Sequence, residues 1–191
     1  MKVIGLTGGI GSGKSTLLNW FQKKTIPCFE SDAVGRDLLN SSLRESVILR
    51  FGANVYRDGT LDRKKMAKKA FGDKKALTDL NKIVHPAVNE AFKNFKVKNQ
   101  NAPFIINESA ILFETGSYKD FYKIILVISP QKERINRIIL RDNIDKEEVF
   151  LRMKHQLSDA KKIKLADFII ENTTLNKLYL QAAEILKKLK K

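Results

Sequence analysis

KVIGLTGGIGSGKST, residues 2–16, opens the chain with a short apolar run, a glycine-rich bend and a Lys-Ser-Thr sequence leading into an amphipathic segment. It fits G-x-x-x-x-G-K-[ST], with Gly8 first, Gly13 sixth, Lys14 seventh and Ser15 eighth. Glycines let a backbone curl its N–H groups around a phosphate without interference from Cβ atoms. A helix starting near Lys14 adds the partial positive charge of its N-terminus. Lys14 reaches the β- and γ-phosphates, and the Ser15 hydroxyl is placed to ligate Mg²⁺. The competing reading, a glycine-rich turn with no ligand, needs the strand, loop, helix and Gly-Lys-Ser to coincide by chance. Gly8, Gly9, Ile10, Gly11, Ser12, Gly13, Lys14, Ser15 and Thr16 therefore form the candidate nucleoside triphosphate site.

The other observations set bounds. A chain of 191 residues is one ordinary domain, with room for appended subdomains, and buries a real core. At 43% hydrophobic and 30% charged it reads as a soluble globular protein. Cys28 is the only cysteine, so an intramolecular disulfide and cysteine-rich metal sites are excluded. The first apolar run is too short for a signal-peptide core, and no stretch approaches the roughly 18 apolar residues of a membrane span. A cytoplasmic location and no membrane partner are expected. The net charge of +15 suits polyanionic ligands. Its lysines are dispersed, at 64–65, 68–69, 74–75, 161–162 and 187–188, so charge alone selects no partner.

Further along, Leu17, Leu18, Trp20 and Phe21 mark a helix ending near Lys24, and Cys28-Phe29-Glu30 reads as a second strand. Ser31-Asp32 starts a helix. Another runs from about Leu43 to Phe51, and Asp58-Gly59 marks a turn. Asp62 caps a basic helix expected to stop at Gly72. A long helical stretch from Lys74 to Val97 is expected to kink or end at His85-Pro86. Phe104 to Glu108, Phe121 to Ile128 and Asp167 to Glu171 read as strands, with a helix over 131–140 carrying Ile135, Ile138 and Ile139. Residues 141–165 are charged and helical with few large apolar side chains, which suits a mobile flap. Leu175, Leu178, Ala182, Ile185, Leu186 and Leu189 form the stripe of a C-terminal helix. Strands alternating with helices point to a parallel sheet covered on both faces, with ligands beyond the carboxyl ends of its strands.

These residues resemble the dephospho-CoA kinase family nearly end to end. After GLTGGIGSGKST come Asp32 to Arg36, Phe51-Gly52, the run from Asp58 to Arg63, and His85-Pro86. Leu112-Phe113-Glu114, Arg141-Asp142, Gln156 and the segment Ala166 to Asn172 complete the order. The loop alone fits many nucleotide-binding families; the ordered combination is far more specific. Three positions depart from the family pattern: Glu30-Ser31-Asp32 replaces Asp-Ala-Asp, Ala110-Ile111 precedes Leu112-Phe113-Glu114, and Thr174 replaces a glycine. The resemblance implies an α/β, three-layer P-loop NTPase with a central parallel sheet of about five strands. It implies one domain over 1–191, with a helical acceptor-binding insertion at roughly 57–102 and a helical lid at roughly 141–165.

The implied reaction is ATP-dependent phosphorylation of the ribose 3′-hydroxyl of dephospho-CoA, the last step of coenzyme A biosynthesis, with Mg²⁺ as cofactor. Asp32 is the candidate for accepting the hydroxyl proton, as an acid at the end of the strand next to the loop strand; the alternative is that it only caps its helix. Lys14 and Arg141 complete the catalytic set, Arg141 because a guanidinium grips phosphate oxygens in two-pronged fashion. Asn172 matches the adenine-side asparagine, with loop capping as the competing role. Arg63, His85 and Glu114 join Asp32 on the acceptor side, and Glu108 is a candidate for holding Mg²⁺ through water. The rivals are another small-molecule or nucleoside kinase, or a nucleotide-dependent nucleic-acid-binding ATPase. The latter is disfavoured because aromatics are not interleaved with the basic residues. ATP and dephospho-CoA are the expected partners, with no nucleic acid, in a monomer or weak homo-oligomer.

Overall fold

A computed structural model describes residues 1–71 and 73–190. β1 (Lys2–Gly8) forms where the sequence is continuously apolar, and it is buried from Ile4 onward, as a strand covered on both faces must be. The bend leads into α1 (Lys14–Gln22), whose Leu17, Leu18 and Phe21 are buried. Next come β2 (Cys28–Glu30), α2 (Ser31–Asn40), α3 (Arg44–Phe51), β3 (Tyr56–Arg57), β4 (Thr60–Leu61), α4 (Arg63–Phe71) and α5 (Lys74–Lys98). The order closes with β5 (Phe104–Glu108), β6 (Lys123–Ile128), α6 (Gln131–Asp142), α7 (Lys146–Lys154), α8 (Asp159–Ile163), β7 (Phe168–Glu171) and α9 (Leu175–Leu189). The chain divides into two compact units, one of Met1–Phe29 with the chain from Asn99 onward, the other Glu30–Lys98.

The first unit is built on a five-stranded sheet of order β2-β5-β1-β6-β7. β1 lies at its centre, parallel to β5 with Leu6 opposite Glu108, and parallel to β6 with Gly8 opposite Val127. β6 is in turn parallel to β7. Successive residues of β6 point to opposite faces, and each face has its own cover. Ile125 and Val127 pack with α1 and α9, whereas Ile124 and Leu126 pack with Leu112, Phe113, Phe121 and Leu157. One face is thus covered by the helices α1 and α9, and the other by the irregular chain between β5 and β6 and around Leu157. The strand order corrects one expectation: β2, which precedes Asp32, is separated from β1 by β5. The strand next to the loop strand ends in Glu108 instead.

Residues 141–165 differ from a sparsely apolar flap. Ile144 and Val149 are buried with Ile135 and Ile138 of α6, so α7 has a small core of its own. On α9 the stripe is buried from Leu178 to Leu189, but Leu175 is exposed.

In the second unit Val47, Phe51, Val55, Met66 and Ala76 form the core. Its helices at 31–51 belong to the same compact body as the segment from 57 onward. The Asp58-Gly59 turn joins β3 to β4 as a hairpin, with φ of 49° and 79° at the two residues; this double left-handed turn matches the twist of paired strands and favours glycine at its second position. The Tyr56 hydroxyl donates to Leu39 O at 2.6 Å, and Leu61 N–H donates to Asn40 Oδ1 at 2.8 Å, tying the hairpin to α2. α5 runs through Pro86 without a break for 25 residues, losing one backbone bond where the sequence predicted an end or kink. The expected stop at Gly72 lies outside the described residues.

Asp62 begins α4 by accepting a bond from Lys65 N–H at 3.0 Å. That amide, more than the nearby Lys65 charge, holds the carboxyl below the usual carboxylate range. A depressed folded-state value means stabilisation that is present above the unfolded value of about 3.9 and lost as pH falls through the folded one. Asp62→Ala should therefore lower the melting temperature at pH 7, with the gap to the parent closing as the pH is taken below 4. Equal melting at pH 7 would exclude the cap.

Candidate active site

Between β1 and α1 each backbone carbonyl from Gly8 to Gly13 has a donor. Gly8 O accepts from Lys14 Nζ at 3.1 Å, and Gly9 O from Ser12 N–H at 3.1 Å. Ile10 O accepts from Arg134 Nε at 3.0 Å, and Gly11 O from Arg137 Nη1 at 3.4 Å. Ser12 O accepts from Asn172 Nδ2 at 2.8 Å, and Gly13 O from Leu17 N–H at 3.1 Å as α1 begins. On the other side of one peptide, Ile10 N–H donates to Gln156 Oε1 at 2.8 Å.

Side chains from four parts of the first unit hold this bend. Lys14 comes from α1, Arg134 and Arg137 from α6, Gln156 from the segment after α7, and Asn172 from the end of β7. Asn172 is itself fixed, since its N–H donates to Ile128 O at 2.8 Å and its carbonyl accepts from Ser129 Oγ at 2.9 Å. Arg137 donates to the same Ser129 hydroxyl at 3.1 Å. A cavity of about 250 Å³ lies beside this cluster, lined by Gly13, Thr16, Arg137, Asn172, Thr173 and Thr174.

The bend fits a polyphosphate. Gly13 has φ 100°, and a Cβ there would overlap the Asn172 amide; a Cβ on Gly11 would lie 2.7 Å from Arg134 O. At Gly11 and Gly13 there is room for bare backbone only. Ser12 Oγ is buried in it with no partner among the described residues. Lys14 Nζ also lies 3.7 Å from Glu108 Oε1, both side chains being about nine-tenths buried. For magnesium, no group of three or more His, Cys, Asp or Glu gathers among the described residues. The Ser15 hydroxyl and the Glu108 carboxylate are hard oxygen donors, the kind Mg²⁺ takes together with nucleotide phosphates and water.

Arg141 is exposed at the end of α6, with Nε and Nη2 on the two oxygens of Asp142 at 2.7 and 3.0 Å. This pairing holds its guanidinium still more firmly protonated than usual. Arg152 donates to the same Asp142 at 3.0 Å and to Glu148 at 2.6 Å. Glu114 accepts from Leu157 N–H at 2.8 Å and lies 2.9 Å from the fully buried Lys162 Nζ. That contact is ionic in distance but too poorly directed for a hydrogen bond, so Lys162 Nζ and Glu114 Oε2 keep unmet bonding capacity.

In the second unit Asp32 is exposed in the first turn of α2, and the cap position belongs to Glu30, with no side-chain cap bond. The capping role weighed for Asp32 is therefore not the one it plays. Gly35, one turn later on the same helix face, is buried where a Cβ would meet Val84 and Val88 of α5 at 3.5 Å. Asp32 and His85 thus flank one helix crossing. Arg63 is exposed at the start of α4.

Sequence reading passed over Arg134 and Arg137 altogether, and gave Gln156 no role. The two arginines stand three apart on the helix after Ser129-Pro130, but only the β1–β6 pairing makes that helix a neighbour of the bend.

Residues 2–177 match a sequence model of dephospho-CoA kinase. Dephospho-CoA kinase of Fusobacterium nucleatum is 39% identical over 174 residues, 90% of either chain. That of Salinibacter ruber is 35% identical over 191 residues, 97% of this chain and 96% of the relative. A solved structure from Thermus thermophilus superposes with a TM-score of 0.88 at 29% identity, covering 98% of this chain and 96% of that one.

Two substitutions test this geometry. Gly13→Ala should weaken ATP binding by about tenfold or more, since a left-handed alanine alone costs about 1–2 kcal/mol before the overlap with Asn172; calorimetric titration of the folded variant reads it. Glu114→Gln leaves Lys162 as an uncompensated buried charge and should cost about 3–5 kcal/mol of stability, measured by urea unfolding. Unchanged stability would assign Glu114 to ligand contact alone.

Proposed function

The chain belongs to the dephospho-CoA kinase family, and from that premise we infer that it transfers the γ-phosphoryl group of ATP to the ribose 3′-hydroxyl of dephospho-CoA, giving CoA and ADP. It is thus an ATP-dependent phosphotransferase with an alcohol acceptor. The observation that carries the donor half is the bend whose carbonyls from Gly8 to Gly13 are all bonded. A turn held in this way directs N–H dipoles at an anion without rearranging when charge develops, which is how a fixed polar site lowers a barrier.

In-line phosphoryl transfer asks for positioning and charge balance more than for covalent chemistry. Lys14 neutralises charge on the transferring group and its bridging oxygen. Ser15 would hold Mg²⁺, with Glu108 placed to fix one of its waters, and the ion would supply positive charge to balance that of the phosphates. Asp32 accepts the proton of the attacking hydroxyl, and the phosphoryl group leaves ADP as the new O–P bond forms. Arg141 grips phosphate oxygens with the two-pronged face it otherwise turns to Asp142. Asn172 keeps Oδ1 for the base edge while its amide nitrogen holds Ser12.

The acceptor side is assigned to the unit Glu30–Lys98, through Asp32, Arg63 and His85, with Glu114 from the first unit. Residues 141–165 act as the lid that excludes water, so that ATP is not hydrolysed in place of transfer. The surplus of basic residues suits two polyanionic substrates. No helix among the described residues is long and apolar enough to cross a membrane, and we assign the protein to the cytoplasm.

A coupled assay of ADP release across acceptors tests the reading. Dephospho-CoA should be used and nucleosides should not; rapid use of another alcohol with none of dephospho-CoA would reject it. Asp32→Asn should lower turnover by about a hundredfold or more, the scale of a lost general base, while ATP still binds. Arg141→Lys, which keeps the charge but loses the fork, should cost about tenfold; full turnover would make Arg141 a surface residue.

A further inference from the structure

Ile10 is the one residue of the bend whose N–H and C=O are both held by side chains, and neither holder belongs to the candidate donor set. Arg134 Nε donates to Ile10 O at 3.0 Å, and Ile10 N–H donates to Gln156 Oε1 at 2.8 Å. Arg134 sits in α6 and is 5% exposed. Its guanidinium lies so close to the bend that a Cβ on Gly9 would collide with it.

Both holders are fastened again on their far side. Arg134 Nη1 donates to Asp159 Oδ2 at 2.9 Å, in the first turn of α8. Gln156 Nε2 donates to Ala110 O at 3.1 Å. One residue on, Leu157 N–H is held by Glu114. The segment 156–159 is thus the point where the chain returns from α7, and it is stitched to the bend by polar bonds. Leu157 also packs against Leu112 and Phe113, but a cavity of about 680 Å³ opens beside the segment, lined by Gln131, Arg134, Met153, Gln156, Leu157 and Asp159 among others. The other carbonyl holders are Lys14 and the Leu17 amide of α1, the Ser12 amide of the bend itself, Arg137 of α6 and Asn172 after β7; Gln156 and, through Asp159, Arg134 connect the bend to the returning segment.

We propose that Arg134 and Gln156 are positioning residues for phosphoryl transfer, which grip Ile10 and make the shape of the phosphate-binding bend depend on where segment 156–159 sits. The proposal rests on the kinase reading above. Neither residue touches the reacting atoms; each acts through the Ile10 peptide. When segment 156–159 is seated, Asp159 holds Arg134 on Ile10 O and Gln156 holds Ile10 N–H, and the neighbouring Gly9 and Gly11 peptides keep their orientation. When it is displaced, both bonds go together. The bend is therefore shaped for ATP only with the segment in place, and closure beyond α6 is coupled to donor binding without a direct contact with the nucleotide.

Steady-state kinetics of Asp159→Ala, Gln156→Leu and Arg134→Met test this, with dephospho-CoA and ATP varied in turn. Each should lower kcat/KM for ATP by about ten- to a hundredfold, the scale of a remote misplacement, and leave KM for dephospho-CoA within about twofold. Arg134→Met combined with Asp159→Ala should be no worse than Arg134→Met alone, since both cut one linkage. Asp159, near the surface, is the variant that keeps the test open should the buried arginine prove necessary for folding. Calorimetric titration with a non-hydrolysable ATP analogue gives a readout independent of turnover and should show the same loss. Variants that melt earlier yet bind the analogue and turn over like the parent would overturn the proposal, as would fully additive losses in the double variant. A parent enzyme inactive on dephospho-CoA would instead reject the kinase reading, with the analogue titrations still deciding the role of the two residues in shaping the bend.

Discussion

A peptide chain cannot turn N–H groups of one bend toward an anion unless the carbonyls between them are bonded elsewhere, because each residue carries both and neither tolerates burial alone. In this protein that requirement is met carbonyl by carbonyl from Gly8 to Gly13, and the donors are Lys14, Arg134, Arg137, Asn172 and two backbone amides. The glycines allow the bend; the side chains select it. Without the holders, a six-residue run containing four glycines would sample many conformations, and binding would have to order it each time.

The strand order follows from the same requirement. β1 at the centre of the sheet has a neighbour on each side, and each delivers part of the site as its strand ends. On one side Leu6 lies opposite Glu108 of β5, which puts that carboxylate beside Lys14. On the other, Gly8 lies opposite Val127 of β6, and three residues after β6 ends the chain is already in α6, whose first turns carry Arg134 and Arg137. β7, next in order, ends one residue before Asn172. A strand inserted between β1 and β6 would move both arginines and the asparagine away together. The hydrophobic sheet and the polar bend are thus one construction, in which the register of apolar strands sets the position of polar groups.

How much of this was legible beforehand depends on the range of the interactions concerned. The glycine bend, α1, the three later strands and the Asp62 cap are written locally, in turn chemistry and apolar runs of short span. The Asp58-Gly59 turn was legible too, though its strands of two residues each were too short to show as apolar alternation. Pro86 does not end α5, because a long amphipathic helix sustains the loss of one backbone bond. In residues 141–165 the sequence did not show that Ile144 and Val149, though few in number, are buried against α6. Arg134 and Gln156 were silent for a different reason. Their partner, Ile10, is 124 and 146 residues away, and an arginine or glutamine in a charged helical stretch looks the same in sequence whether it meets water or a glycine carbonyl.

Three of the side chains that hold the bend are cations, and this joins structure to electrostatics. Lys14, Arg134 and Arg137 are present because a carbonyl needs a donor, yet each also sets a positive charge beside the place an anion would occupy. Two of the three are matched by carboxylates within the same unit, Glu108 for Lys14 and Asp159 for Arg134. The match lets a nearly buried arginine stay charged before any ligand arrives, since an unpaired charge there would carry a desolvation cost of several kcal/mol. It also means that removing a cation changes the bend's shape and its potential at once. Neutral holders separate the two. Gln156 holds the bend by a hydrogen bond alone, so what its loss costs is the value of the bend's shape, and what the arginines cost beyond that is the value of their charge.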